Sequence, residues 1–257
     1  MLGFTFIDMI LNEYIKKALF YISAPSCVYC KERLDIDDRA LCKTCLKIYK
    51  AHKTRSCSKC AHITCECSCA QKYLSDHSVK RHIKLFRYML RDEAQPGKHL
   101  IYSLKRDNRR DVLDFIAEEL SIACLKSIDL SDKTKYIITN VPRRKNAILN
   151  YGFDHTAVLA RRLSKLLDIE FMPLLVSKGR KAQKETVGKE RLRNVKVDYS
   201  SAAENINLKG RVVLVVDDLV TTGASITSSS MLVRGLGAKE CIAVTIAFAH
   251  SDDFEFK

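Results

Sequence analysis

Two adjacent carboxylates, Asp217 and Asp218, close a run of five apolar residues, Val212 to Val216, and Leu219-Val220 then leads into Thr221-Thr222-Gly223-Ala224-Ser225. Carboxylates at the end of an apolar run can accept hydrogen bonds from two neighbouring ribose hydroxyls. A Thr-Thr-Gly-Ala-Ser loop supplies backbone N–H groups, hydroxyls and the positive end of a helix dipole, which together cradle a phosphate. Gly223 lacks a Cβ and so lets the backbone approach its neighbour closely. The chemistry these residues can perform is therefore recognition of a ligand that carries both a ribose and a phosphate. The elements that must position them follow directly. The apolar, β-branched run is a buried strand that fixes where the acids point. Side chains alternate along a strand, so one acid faces the ligand more directly than the other. The segment after Ser225 reads as a helix. The plainer reading, in which the acids merely cap that helix, leaves the shared register of acids, threonines, glycine and serine without a role.

A second chemistry lies near the N-terminus, where nine of the eleven cysteines fall between Cys27 and Cys69. Cys27-Val-Tyr-Cys30 and Cys42-Lys-Thr-Cys45 are two knuckles, each placing two thiolates on one tight turn, and together they form a tetrahedral S4 site suited to zinc. Four protein ligands leave no open position for a substrate, so this zinc is structural. Cys57 and Cys60 begin a second set, followed by Cys65, Cys67 and Cys69, with His52 and His62 nearby. A second zinc is expected on Cys57, Cys60 and Cys67 with either Cys65 or Cys69, a choice the spacing leaves open. Knuckles without a secretory signal point to a reducing, cytoplasmic setting. Met1 to Ile22 is apolar but interrupted by Asp8 and Glu13, which predicts neither a transmembrane span nor a signal peptide. An amphipathic helix that packs on the body is expected there, with peripheral contact at the inner membrane as the alternative.

The chain has 257 residues, 47% hydrophobic and 29% charged, with a net charge of +14. That length suits one medium domain plus an appendage, and the charge favours polyanions, whether phosphates, nucleic acid or an acidic membrane. The expected division is an N-terminal helix and zinc ribbon over 1–70 and an α/β domain over 71–257. Within the latter, Tyr136 to Val141, Phe171 to Val176, Val212 to Val216 and Cys241 to Phe248 read as strands. They alternate with helices ending near Ser127, running through Val158 to Leu167, and spanning Ile226 to Leu236. Such alternation predicts a parallel sheet flanked by helices, with the ligand at the carboxyl ends of the strands. Arg143, Arg144 and Lys145 follow one strand end and suit a pyrophosphate, and residues 178–196, with eight Lys or Arg against two Glu, read as a basic lid loop or a basic insertion. Lys72 to Arg91 interleaves basic residues with Tyr73, Phe86 and Tyr88, a pattern used by single-stranded nucleic-acid grooves, although alternation at Phe86 and Tyr88 favours packing in the core. Gln95-Pro96-Gly97 reads as a turn.

Position for position, Val213 to Ser225 resembles the phosphoribosyl-pyrophosphate (PRPP) signature of type I phosphoribosyltransferases. The whole layout resembles the ComF/ComFC family of competence-associated, phosphoribosyltransferase-like proteins with an N-terminal zinc ribbon. Ser103-Leu104-Lys105-Arg106 is similar to the family's Leu-Lys-Tyr segment, with Arg106 in place of the aromatic. Val141-Pro142-Arg143-Arg144 and Tyr151-Gly152-Phe153-Asp154-His155 resemble its Val-Pro and Arg-Gly-Phe-Asn-Gln runs, with Tyr151 for Arg, Asp154 for Asn and His155 for Gln. Gln183 and Glu190-Arg191-Leu192-Arg193-Asn194-Val195 match a further stretch. The resemblance implies a type I phosphoribosyltransferase-like fold and PRPP bound with Mg2+. It assigns Asp217 and Asp218 to the ribose and to any catalysis, Thr221, Thr222, Gly223, Ala224 and Ser225 to the 5′-phosphate, and Arg143 and Arg144 to the pyrophosphate. It also implies a role in handling single-stranded DNA during uptake, beside other uptake proteins at the inner membrane face. The alternative is an active phosphoribosyltransferase that transfers ribose 5-phosphate to a nucleobase or amine, and Tyr151 weighs against it by removing a cation. A third reading is a nucleic-acid-binding module in which the loop is a relic. No nucleophile, triad or glutaminase segment supports an amidotransferase.

Overall fold

A computed structural model of the chain describes residues 25–89, 94–177 and 197–249. The N-terminal helix expected over Met1 to Ile22 and the basic lid expected over 178–196 lie outside the described residues.

Four strands form one parallel sheet in the order β1-β6-β5-β2, with β1 at Arg81–Arg87, β2 at Tyr136–Asn140, β5 at Val212–Val220 and β6 at Glu240–Phe248. The two central strands are almost wholly apolar because both faces of the sheet are covered. On one face Leu214, Val216, Ile242 and Val244 pack against helices α1 (Lys43–Lys53), α3 (Pro96–Arg106), α4 (Arg110–Ser127) and α6 (His155–Leu167). On the other, Val213, Val215, Cys241 and Ala243 meet α2 (Lys72–Asp76) and α7 (Ala224–Gly235) through Leu74, Ile226 and Val233. A short helix α5 (Lys145–Tyr151) follows β2, and an antiparallel pair, β3 (Leu175–Ser177) and β4 (Val197–Tyr199), completes the second layer. The first pair of cysteine knuckles is continuous with the main core: Cys27, Leu41, Cys45 and Tyr49 share a cluster with the sheet residues. Among the described residues no helix is long and apolar enough to cross a membrane.

Two expectations are corrected. Strand β5 does not stop at Val216 but runs through both acids to Val220, because β6 continues alongside it and pairs Asp217 with Thr245 and Val220 with Phe248. Gln95-Pro96-Gly97 is not a turn but the start of α3. Proline is tolerated in a first helical turn, where its missing N–H would have had no partner. Gly97 is there because the Phe86 ring lies against it. A Cβ on Gly97 would sit 2.4 Å from Phe86 Cζ. Phe86 itself is wholly buried, in keeping with the packing role expected of it. Gly97→Ala is expected to cost about 1–3 kcal/mol by overpacking, read as a lower midpoint in denaturant unfolding, and an unchanged midpoint would contradict that packing.

Candidate functional site

Because β5 continues through the acids, its alternation separates them. Asp217 faces the concavity formed by Leu219, Val220 and the loop from Thr221 to Ile226. Asp218 points to the opposite face, where it is buried against His155 and Lys105. His155 Nε2 is hydrogen-bonded to Asp218 Oδ2, and Lys105 Nζ lies 3.1 Å from the same oxygen. His155 is the first residue of α6, and Asp154 holds that position by capping the helix, accepting from the amides of Thr156 (3.0 Å) and Ala157 (3.1 Å). The second Asp154 oxygen accepts from the Arg143 amide at 3.1 Å.

Burial pushes the Asp217 carboxyl well above the usual carboxylate range, and the negative charge of Asp218 pushes it further. Burial also penalises charge on Asp218, but the bond from His155 and the charge of Lys105 outweigh that penalty and hold it below the usual range. The pair therefore carries its anion on Asp218, while Asp217, at the mouth of the concavity, takes up a proton readily.

The loop is set by two features. Gly223 precedes α7 with φ of +81°, a left-handed conformation that disfavours any side chain. The close approach it permits is made by the protein: a Cβ there would lie 2.9 Å from Leu74 Cδ2 and 3.1 Å from Tyr73 Cδ1. The glycine thus lets α2 press on the loop from behind. Thr221, Thr222, Ala224 and Ser225 remain exposed around the N-terminus of α7, where the first-turn amides have no partner within the helix.

Of the other expected residues, Arg143 reaches the acids indirectly, with Nη1 3.4 Å from the Lys105 carbonyl and its guanidinium 4.7 Å from the Tyr151 ring centroid. Arg144 is exposed at the start of α5. Lys105, Asp154 and His155 were not singled out as site residues by the sequence reasoning. Asp154 ahead of a helical pattern is a recognisable cap signal, but nothing local announces that Lys105 and His155 meet Asp218.

The cysteines gather in two groups whose Sγ atoms lie within 4.8 Å of one another: Cys27, Cys30, Cys42 and Cys45, then Cys57, Cys60, Cys67 and Cys69. The knuckles repeat. Lys31 and Ala61 each follow the second cysteine with positive φ and donate their amide to Cys27 O and Cys57 O, and the bridge Ser26 to Arg33 recurs as Ser56 to Ile63. The choice left open by spacing goes to Cys69. Cys65 is instead buried beside the second group, on the short 3-10 turn Thr64–Glu66. Sulfur separations of 3.6 Å (Cys30 to Cys42) and 3.4 Å (Cys60 to Cys67) are near the edge of a tetrahedron with zinc–sulfur bonds of about 2.3 Å. The donor sets fit zinc. At Cys27 the amides of Cys42, Cys30 and Tyr29 outweigh the effect of burial and bring the thiol down to about 7.

A model of the phosphoribosyl transferase domain matches residues 153–255, which include the acids and the loop. Competence protein F of Haemophilus influenzae is 25% identical, the match covering 83% of this chain and 93% of that protein. DNA utilization protein YhgH of Escherichia coli is 24% identical, covering 82% and 92%. A shorter match, 31% identical over 34% of each chain, is to a ribose-phosphate pyrophosphokinase of Saccharolobus solfataricus. With its Cys-rich N-terminus and parallel sheet, the chain is a homologue of competence protein F and DNA utilization protein YhgH that carries a phosphoribosyl transferase domain in its C-terminal part.

Proposed function

We propose that this protein binds PRPP with Mg2+ at the Asp217–Ser225 segment and handles incoming single-stranded DNA during natural competence, on the cytoplasmic side of the inner membrane. One observation carries the ligand assignment: Asp217 and the Thr221–Ser225 loop line a single concavity at the carboxyl end of a central strand. Asp217 would accept from the ribose hydroxyls, the loop would hold the 5′-phosphate, and Arg143 and Arg144 would take the pyrophosphate. The site's carboxylates are oxygen donors of the kind Mg2+ takes when it keeps substrate phosphates as its other ligands. When bound, Mg2+ would neutralise pyrophosphate charge. The two cysteine groups would each hold one zinc. The DNA assignment draws on the names of the relatives and on the net charge of +14.

Calorimetric titration with Mg2+ and PRPP tests the ligand. Saturable one-site binding supports the reading, and an absence of binding to zinc-loaded protein refutes it. The raised pKa of Asp217 adds a finer expectation. A group raised on folding stabilises the folded protein while protonated, and that contribution is lost as pH rises through its folded pKa. At a pH below its raised pKa, binding that needs the Asp217 anion releases a proton. The heat should therefore vary with the ionisation enthalpy of the buffer, reporting proton release, and Asp217→Asn should abolish that component. An unchanged buffer dependence in the variant would contradict it.

A second reading, transfer of ribose 5-phosphate to a nucleobase or amine, is favoured by Lys105 against Asp218, with Arg143 behind it on the Lys105 carbonyl. Pyrophosphate release with any acceptor in a panel would support it, and silence across the panel would favour binding alone.

A further inference from the structure

Lys84 lies in the middle of β1, is only 3% exposed, and has no carboxylate partner among the described residues. Its ammonium donates to Cys67 O (3.0 Å), Cys69 O (2.8 Å) and His82 O (3.2 Å), and lies 3.4 Å from Cys67 Sγ. A buried cation needs an anion close by. Four thiolates around one divalent ion carry a net negative charge, and the second cysteine group is the anion this lysine faces.

From that group two paths lead to the phosphate loop. Beyond Cys69, Gln71 donates to Ala249 O at 2.7 Å, and Ala249 donates to Val220 O at 2.8 Å, one residue before the loop. In parallel, the short helix α2 places Leu74, fully buried, together with Tyr73 against Gly223. The loop's rear wall is thus built from the chain that leaves the second cysteine group.

We propose that the second group, Cys57, Cys60, Cys67 and Cys69, clamped by Lys84, is the anchor that positions the Thr221–Ser225 loop, so that zinc occupancy there sets the affinity of the ribose-phosphate site. The consequence for affinity rests on the PRPP reading above; the positioning of the loop does not. Lys84 and Leu74 are positioning residues in this scheme and touch no ligand.

The test is hydrogen exchange of residues 220–226 in the full, zinc-loaded chain without ligand, together with zinc stoichiometry. Lys84→Met is expected to weaken the second zinc about 10–100-fold while the first is retained, the usual effect of removing a group that supports metal ligands. Exchange in the loop should then rise about 10-fold while strand β2, at the far edge of the sheet, stays protected. Lys84→Arg should restore part of both effects. Leu74→Ala should keep both zinc ions and still speed loop exchange. The proposal is overturned if Lys84→Met loses the second zinc with the loop protected as in wild type, or holds both zinc ions as tightly as wild type. Should Lys84→Met not fold, wild-type loop protection in Leu74→Ala overturns it alone. Wild-type protein whose loop loosens when the second zinc is removed, yet which never binds PRPP, would refute the PRPP reading and leave the anchor standing.

Discussion

Asp217→Ala is expected to weaken PRPP binding by about 2–4 kcal/mol, roughly 30-fold to 1,000-fold, without lowering thermal stability, because it removes charged hydrogen bonds to the ribose. Its neighbour should behave in the opposite way. Asp218 is buried between His155 and Lys105. Asp218→Ala leaves those two groups without their anion and should cost about 3–5 kcal/mol of stability. The reason lies in the register of β5, which turns Asp217 to the concavity and Asp218 to the helical layer. Burial and the Asp218 charge both work against an Asp217 carboxylate, so its removal takes away a group the fold disfavours. Calorimetry and thermal unfolding on both variants check the contrast. Equal effects on binding and on stability would mean that the two acids do not have separate roles. The Asp218 contribution should also follow pH. Its depressed pKa makes that stability present above the unfolded carboxylate pKa and lost as pH falls through the folded one.

Removing a thiolate from the first cysteine group should be the most damaging substitution in the chain. Cys45 is 3% exposed and shares its cluster with Tyr49, Leu214 and Val216, so loosening that knuckle opens the main core. Cys45→Ser is expected to cost about 5 kcal/mol or more, which for a protein of this size lowers the melting temperature by about 10–20 °C. Cys65→Ala is the control. Its buried sulfur belongs to neither group, so both zinc ions should remain and only a cavity cost of about 1–2 kcal/mol is expected. Metal analysis and melting curves decide it. A Cys65→Ala protein with one zinc would show that Cys65, not Cys69, is the ligand.

The parts of the site that were legible in the sequence are those with a local signature. Val212 to Val216 reads as a buried strand because it is uniformly apolar, and Thr221 to Ser225 reads as a phosphate loop from residue types alone. The cysteine pairs are legible because their spacing is a geometric requirement of the turn. What escaped depends on contacts between distant segments. The strand's extension to Val220 is decided by β6, whose last residues provide a partner the local sequence does not reveal. Lys105 and Asp218 are brought together by the packing of α3 under the sheet, and spacing cannot show that. Gly223 was legible as a required glycine, but its close neighbours proved to be Tyr73 and Leu74, some 150 residues away in the chain. That Cys69 and not Cys65 joins the second cysteine group is shown only by the folded chain, in which Cys65 is buried on the short turn Thr64–Glu66. Lys84 is one of the basic residues of the Lys72 to Arg91 stretch, and only the folded chain shows it buried against the second cysteine group.

The most direct test of the ribose-phosphate site is a crystal structure of the zinc-loaded protein with Mg2+ and PRPP. The predicted result is a 5′-phosphate held by the amides and hydroxyls of Thr221 to Ser225 with the ribose hydroxyls on Asp217, and Asp218 still bonded to His155. A saturated crystal with that loop empty, or with the phosphate bound elsewhere on the chain, would contradict it.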